Sequence, residues 1–187
     1  LKELPRNFGL KRLKAALSHV KGSRVAIDIG AHKGIWTRVM MERFESVYSF
    51  EPVKDNFDTL KNINPHSYKV ALGNHNGCGG MLPGNNTGMW HLTETDAKIT
   101  TKIEELDSYA IDDVDFIKID VEGYELHVLK GAEETIKKCR PDILLEENGL
   151  LTRYGVTPTD LWWHMESIGY ENVGRFQDDY LWSSTKN

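Results

Sequence analysis

The run RVAIDIGAHKG, residues 24–34, opens as a short β-rich segment and closes on Gly30. Past Gly34 it gives way to a helical pattern, IWTRVMMERF, at 35–44. A second β-rich run, SVYSFE, follows at 46–51, then a predicted helix over 53–62 and a strand near 67–72, SYKVAL. Alternation of this kind predicts βαβ units, a parallel sheet with helices on both faces. Ligands of such sheets sit beyond the carboxyl ends of the strands.

Downstream the rhythm breaks at 73–98, GNHNGCGGMLPGNNTGMWHLTETDAK, where six glycines and four asparagines predict a turn-rich excursion with room for irregular hairpins. It resumes with VDFIKID at 114–120, a helix over 124–138 and DILLEEN at 142–148, with Pro141 just ahead of that strand. A helix near 159–168 and strands at 171–176 and 180–184 complete the pattern. Upstream, Leu10, Leu13, Leu17 and Val20 fall at helical spacing among Lys11, Lys14 and Lys21, and Gly22 ends the run. A helix packed beside a sheet explains this better than one lying on a membrane. There is no internal repeat, linker or low-complexity tract, so one domain over 1–187 is expected. Residues 1–22 form its N-terminal helical segment, and 73–98 an insertion near the acceptor.

The 187 residues are 40% hydrophobic and 27% charged, ordinary for a soluble globular protein. A net charge of −5 does not advertise the basic face that nucleic-acid binding requires. Cys78 and Cys139 lack the number and spacing of a disulfide framework or zinc site, and read as free thiols in a reducing compartment. No apolar run approaches the roughly 18 residues of a membrane span. The first residues carry no apolar signal core and no initiator methionine, which points to trimming. A cytoplasmic location and no membrane partner are the resulting expectations; oligomeric state is open.

The loop DIGAHKG, 28–34, is not built for a diphosphate. A dinucleotide loop reads G-x-G-x-x-G, and its middle glycine lets backbone approach the pyrophosphate. Here His32 stands at that place and Asp28 adds negative charge. S-adenosylmethionine suits the loop better, having a sulfonium, an ammonium and no phosphate. Asp28 would favour its cationic end, and Glu51, closing the second strand, would accept from the ribose hydroxyls. The competing reading is a turn glycine and a solvated strand end.

Carboxylates gather around the fourth strand. In FIKIDVEGYEL, 116–126, alternation places Phe116, Lys118 and Asp120 on one face and Ile117, Ile119 and Val121 on the other. Asp120 thus reaches the carboxyl end, where DILLEEN also delivers Glu146, Glu147 and Asn148. Asp120, Glu147 and Asn148 form a candidate hard-oxygen set for Mg²⁺ or another divalent cation, which would lower the pKa of an acceptor hydroxyl. Without metal, Asp120 or Glu122 is the candidate general base. Glu122 and Glu125 can equally serve as helix-start acids, and for Glu125 that is the preferred role. Lys118 is either a structural partner of these carboxylates or an acceptor-positioning group. His32 could line the cofactor pocket, while His91 and Trp90 lie on the excursion that could cover an acceptor.

These segments together resemble a known family. VAIDIGAHKG, the FEP closing the second strand and above all FIKIDVEGYELHVLKGA are similar to the FkbM-type methyltransferases over about residues 24–148. The resemblance implies a three-layer, Rossmann-like class I methyltransferase fold: a mostly parallel seven-stranded sheet with an antiparallel C-terminal strand. It also implies S-adenosylmethionine as cofactor and O-methylation of a sugar, glycan-like or other small-molecule acceptor. Carried over by motif, Asp28, Gly30, Gly34 and Glu51 would bind cofactor and Asp120 would face the acceptor; the full candidate set adds Ala31, His32, Pro52, Ala71, Leu72 and Asp120 at the cofactor, with Asp120, Glu122 and Lys118 toward catalysis. A looser likeness to catechol-type O-methyltransferases supports the metal set, yet the lysine expected three residues after the first aspartate is Gly123. The short length suggests a minimal catalytic domain. Rival readings are an RNA 2′-O- or N-methyltransferase and a non-catalytic nucleoside-binding module; the place of an Asn/Asp-Pro-Pro-Tyr/Phe run reads DVEG instead.

Overall fold

The apolar strands of the first half pair in parallel, as their alternation with helices predicts. The computed structural model describes residues 8–84, 90–93 and 97–185. After α1 (Phe8–Leu17) come β1 (Val25–Ile29), α2 (Ile35–Met41), β2 (Ser46–Phe50), α3 (Lys54–Leu60) and β3 (Ser67–Tyr68). The second half supplies β8 (Val114–Ile119), α4 (Glu125–Lys130), α5 (Glu133–Cys139), β9 (Asp142–Glu146), α6 (Pro158–Ser167), β10 (Tyr170–Phe176) and β11 (Asp179–Ser184). The seven-stranded sheet runs β10-β11-β9-β8-β1-β2-β3. β11, the last strand, is antiparallel to both neighbours, and the other pairings are parallel.

Strand alternation divides the core into two layers. On one face Ala26, Val47, Phe116, Leu144 and Leu181 meet Leu13, Ala16 and Leu17 of α1 and Val39 and Met40 of α2. On the other, Ile27, Ile29, Ile117, Ile119, Ile143 and Leu145 pack against Leu126, Val128 and Leu129 of α4, Ile136 of α5, and Leu161 and Met165 of α6. Each fully buried side chain of this size stabilises the fold by about 1.5–3 kcal/mol before the cost of ordering it. The predicted N-terminal helix, α1, therefore does pack on the sheet. No helix of the described residues is long and apolar enough to cross a membrane.

Two local expectations change. SYKVAL is not one strand: Ser67–Tyr68 edges the main sheet beside β2, while β4 (Ala71–Leu72) turns away to pair with β7 (Ile99–Glu104). The excursion, of which 85–89 and 94–96 lie outside the described residues, builds a second sheet, β4-β7-β5-β6, with β5 (Gly77–Pro83) and β6 (Trp90–Thr93) as its hairpin. Val53, Ala71, Met81, Leu92 and Ile103 form its small core, against which Tyr124 and Tyr154 pack.

The helix expected over 124–138 is likewise two, α4 and α5. The break falls where the backbone of Gly131 lies against the second sheet: a Cβ there would sit 1.8 Å from the Gly73 carbonyl oxygen. The Gly131 carbonyl in turn accepts from Asp107 N–H at 3.1 Å. Gly131→Ala should therefore cost about 1–3 kcal/mol through overpacking. Urea unfolding of the variant should show a lower midpoint with an unchanged slope; an unchanged midpoint would mean that this contact is loose.

Candidate active site

Strand register assembles the site. Asp28 of β1 pairs with Lys118 of β8, which pairs with Leu144 of β9. Side chains repeat every second residue, so the next positions on the same face are Gly30, Asp120 and Glu146. Glu146 then pairs with Asp179, the first residue of β11. Three acids thus stand in a row at the carboxyl edge, on the face covered by α1 and α2.

Lys118 anchors this row from below. Only 3% exposed, its ammonium donates to Gly30 O at 2.9 Å and lies 3.4 Å from both Asp28 Oδ1 and Asp120 Oδ2. Burial alone would push such a group toward neutrality, but the Asp120 and Asp28 charges outweigh it and hold the lysine charged, above its ordinary value. Asp28 is 0% exposed, and its other oxygen accepts from Thr37 Oγ1 at 2.6 Å. Trp36 faces the same charges, its ring 5.3 Å from Lys118 Nζ and 5.8 Å from the Arg12 guanidinium. Arg12 also reaches Asp179 Oδ2 at 3.0 Å. Burial still pushes Asp179 up to about 6, with Arg12 opposing the shift.

The 30–34 loop turns on three left-handed residues, Gly30 (φ 75°), His32 (φ 51°) and Gly34 (φ 78°). At Gly30 no side chain fits, because a Cβ would lie 1.8 Å from the Asp120 carbonyl oxygen. Gly30 and Ala31 N–H both donate to Phe50 O, at 3.0 and 3.1 Å, tying the loop to the end of β2. Glu51, 5% exposed, clamps the loops together: Oε2 accepts from His32 N–H at 2.8 Å and Oε1 from Val53 N–H at 2.9 Å. Burial raises its pKa, while these backbone bonds, with Asn56 and Lys118, oppose the rise. Pro52 follows directly and is half-buried. Ala71 and Leu72 are buried in β4, where the second sheet begins.

Beyond β8 the chain bends through Glu122 (φ 59°) and Gly123 (φ 104°). Glu125 accepts from Val121 and Gly123 N–H at 3.2 and 3.1 Å, which makes it the internal brace of this bend; burial pushes it up to about 7. Glu122 keeps Oε2 buried without a hydrogen-bond partner, and burial and Asp120 raise its pKa against Arg153. Asp120, Glu122 and Glu146 each bring one oxygen within 4.8 Å of the others. Glu146 is raised first by burial, then by the Asp120 and Glu122 charges. Glu147, expected in this set, is turned away by strand parity: its Oε1 accepts from Gly149 N–H at 2.9 Å. Asn148 stays beside the acids, donating to Glu146 Oε2 at 2.8 Å.

Comparison with known proteins agrees with this fold. Residues 28–171 match the model of the methyltransferase FkbM domain, which spans β1 through the start of β10. The chain belongs to the FkbM methyltransferase family. A crystal structure of an FkbM methyltransferase from Methylobacillus flagellatus KT is similar at 22% identity and TM-score 0.61, over 89% of this chain and 45% of that one. The chain thus spans less than half of that relative's length. Two structures of similar fold are precorrin 8W decarboxylase from Methanobacterium thermoautotrophicum (15% identity, TM-score 0.55, 98% and 93% of the two chains) and precorrin-6y C5,15-methyltransferase from Geobacter metallireducens GS-15 (14%, 0.55, 100% and 92%). No curated protein sequence matches.

In this FkbM chain, sequence reasoning placed Glu146 at the carboxyl edge but left it out of the ligand set, and it missed Arg12, Thr37, Asp179 and Arg153. Glu146 could have been chosen over Glu147 by carrying the β9 alternation from Leu144 to its end. The others are joined to the site by tertiary pairing. Replacing Lys118 with methionine would strand the fully buried Asp28 carboxylate without its cation. Breaking a buried pair in this way costs about 3–5 kcal/mol. Chemical denaturation of Lys118→Met should show that loss, whereas a stability within about 1 kcal/mol of wild type would mean that water or another group takes over the lysine's role.

Proposed function

We propose that the chain transfers a methyl group from S-adenosylmethionine to a hydroxyl oxygen of a sugar, a glycan-like molecule or another small metabolite. The observation that carries the reading is the juxtaposition of the tight 30–34 turn with the row Asp120–Glu146–Asp179 and with Glu122. Carboxylates predominate around the turn, and the one buried cation there, Lys118, is engaged by Asp28 and Asp120, which suits a cationic nucleoside and opposes a diphosphate. Gly30, Ala31, His32 and Gly34 shape the floor of the cofactor site. Glu51 keeps lone-pair capacity on Oε2 for a ribose hydroxyl, and Pro52, Ala71 and Leu72 extend the wall.

S-adenosylmethionine supplies a methyl group activated on sulfonium sulfur. What the chain contributes is placement: Lys118 fixes Asp120 at the strand end, and the acceptor oxygen is held for in-line attack. Asp120 or Glu122 takes the hydroxyl proton as the new bond forms. Asp120→Asn should lower turnover by at least about 100-fold, the usual weight of a general base, while cofactor affinity stays within a factor of a few. Glu51→Ala should do the opposite at first, weakening cofactor binding by about tenfold or more. Calorimetric titration with S-adenosylhomocysteine, alongside single-turnover assays over an acceptor panel, separates the two. Retained turnover in Asp120→Asn removes that residue from the chemistry.

A divalent cation is a second reading, favoured by the three converging oxygens. Asp120, Glu122 and Glu146 would hold it, with Asn148 at the side; these are hard ligands of the kind Mg²⁺ accepts. Bound there, it would lower the pKa of the acceptor hydroxyl. On this reading, exhaustive chelation abolishes activity and Mg²⁺ or Mn²⁺ restores it, and Mn²⁺ binding seen by electron paramagnetic resonance is lost in Glu146→Gln. Full activity in the presence of chelator excludes the metal.

A further inference from the structure

The turn after β9 presents one cation that the site's internal pairing leaves over. Gly149 (φ 83°) and Gly155 (φ 69°) bracket a 3-10 turn, Leu150–Tyr154, and the residues around it are tightly held. Glu147 and Asn148 accept from Gly149 and Leu150 N–H, at 2.9 and 3.2 Å. Tyr154 O–H donates to Leu92 O at 2.9 Å, fastening the turn to β6 of the second sheet. At Gly123 a Cβ would lie 2.4 Å from Leu150 O, so the turn sits directly on the bend that carries Glu122.

Arg153 projects from this rigid mount. It is exposed, and Nη1 donates to the Glu122 carbonyl at 2.9 Å. Among the described residues no carboxylate lies within ion-pairing distance of its guanidinium. The other two cations near the acids are committed, Lys118 to Asp28 and Asp120, and Arg12 to Asp179. Its field nevertheless reaches two flanking elements: it opposes the rise of the Glu122 pKa and, after burial, helps depress that of His91 on β6. A preorganised guanidinium with spare donors matches the two-oxygen geometry of a carboxylate or phosphate. Beside several acids, such a cation is also what an anionic acceptor needs in order to approach.

We infer that Arg153 anchors an anionic substituent, carboxylate or phosphate, of the hydroxyl-bearing acceptor. The inference rests on the methyl-transfer reading and narrows it to acidic or phosphorylated saccharide-like acceptors. Arg153 is then a specificity residue at the rim, not a member of the proton-transfer machinery.

The test uses the protein saturated with S-adenosylhomocysteine and three probes, D-glucuronate, D-glucose 6-phosphate and D-glucose, titrated by calorimetry or ligand-observed NMR. At least one anionic sugar should bind about tenfold or more tightly than glucose, with the preference weakening as salt rises. The carboxylate and phosphate arms identify which anion is preferred. Arg153→Gln should erase the preference and Arg153→Lys keep part of it, with S-adenosylhomocysteine affinity unchanged in both. An arginine that only braced the Glu122 backbone would lower stability and leave the discrimination intact. Equal binding of the three probes, no binding of any, or an undiminished preference in Arg153→Gln overturns the inference. Failure of S-adenosylhomocysteine to bind wild-type protein overturns the methyl-transfer reading along with it.

Discussion

A lysine ammonium held inside a parallel sheet is the constraint on which the rest of the site depends. Removing that charge from water costs several kcal/mol, and the cost is offset only where opposite charges and carbonyls converge on it. Lys118 meets two carboxylates, Asp28 and Asp120, together with the carbonyls of Ile29 and Gly30. Those four groups are the end of β1, the start of its loop and the end of β8. The lysine thus sets the spacing between the glycine turn and the first acid of the row. Asp28, placed by sequence reasoning at the cofactor, acts on the site from within this buried pair, and Thr37 occupies its second oxygen.

Two glycines carry that rigidity outward to the loops. Gly30 lets the first loop lie against the Asp120 carbonyl, and Gly123 lets the bend after β8 lie against Leu150. At either place a side chain would force apart backbones that now touch, which ordinary core adjustment cannot absorb. The left-handed backbone at His32 and Glu122 belongs to the same packing. Each is a non-glycine residue in a costly conformation, held there by its surroundings: His32 N–H bonds Glu51, and Arg153 bonds the Glu122 carbonyl. Loops over a sheet edge are ordinarily its loosest parts; here backbone contacts bind them into one layer.

What the sequence disclosed follows from the range of each interaction. The β1–loop–α2–β2 unit was legible because its evidence is local: a strand pattern, two glycines and a terminal acid at fixed offsets. The face assignment of Phe116, Lys118 and Asp120 followed from the period of two and agrees with the two core layers. The same rule applied one residue further along β9 separates Glu146 from Glu147, since a one-residue step changes face. The split of SYKVAL and the break at Gly131 were not legible, because each depends on the second sheet, whose residues are remote in sequence. Arg12 and Asp179 were hidden for a similar reason: an arginine on an amphipathic helix and an aspartate at a hairpin read as solvated until folding brings them to 3.0 Å.

Charge balance links these features to the chemistry. Five carboxyl groups, Asp28, Asp120, Glu122, Glu146 and Asp179, stand against Lys118, Arg12 and Arg153. Burial and its acidic neighbours raise the Glu146 pKa, favouring its protonated form, which relieves the crowding at the centre of the row. Asp28 and Asp179 are matched by the two inner cations, so the surplus negative charge falls on Asp120 and Glu122, the acids facing the loops. At a partly buried strand edge such a surplus is a larger influence than the same charges would be in water. On the methyl-transfer reading it would attract the cationic donor and stabilise the positive charge that methylation places on the acceptor oxygen until its proton leaves. Arg153 at the rim interrupts that negative field at one point, and the contrast between a negative floor and a positive edge is what would orient an acceptor with its hydroxyl inward.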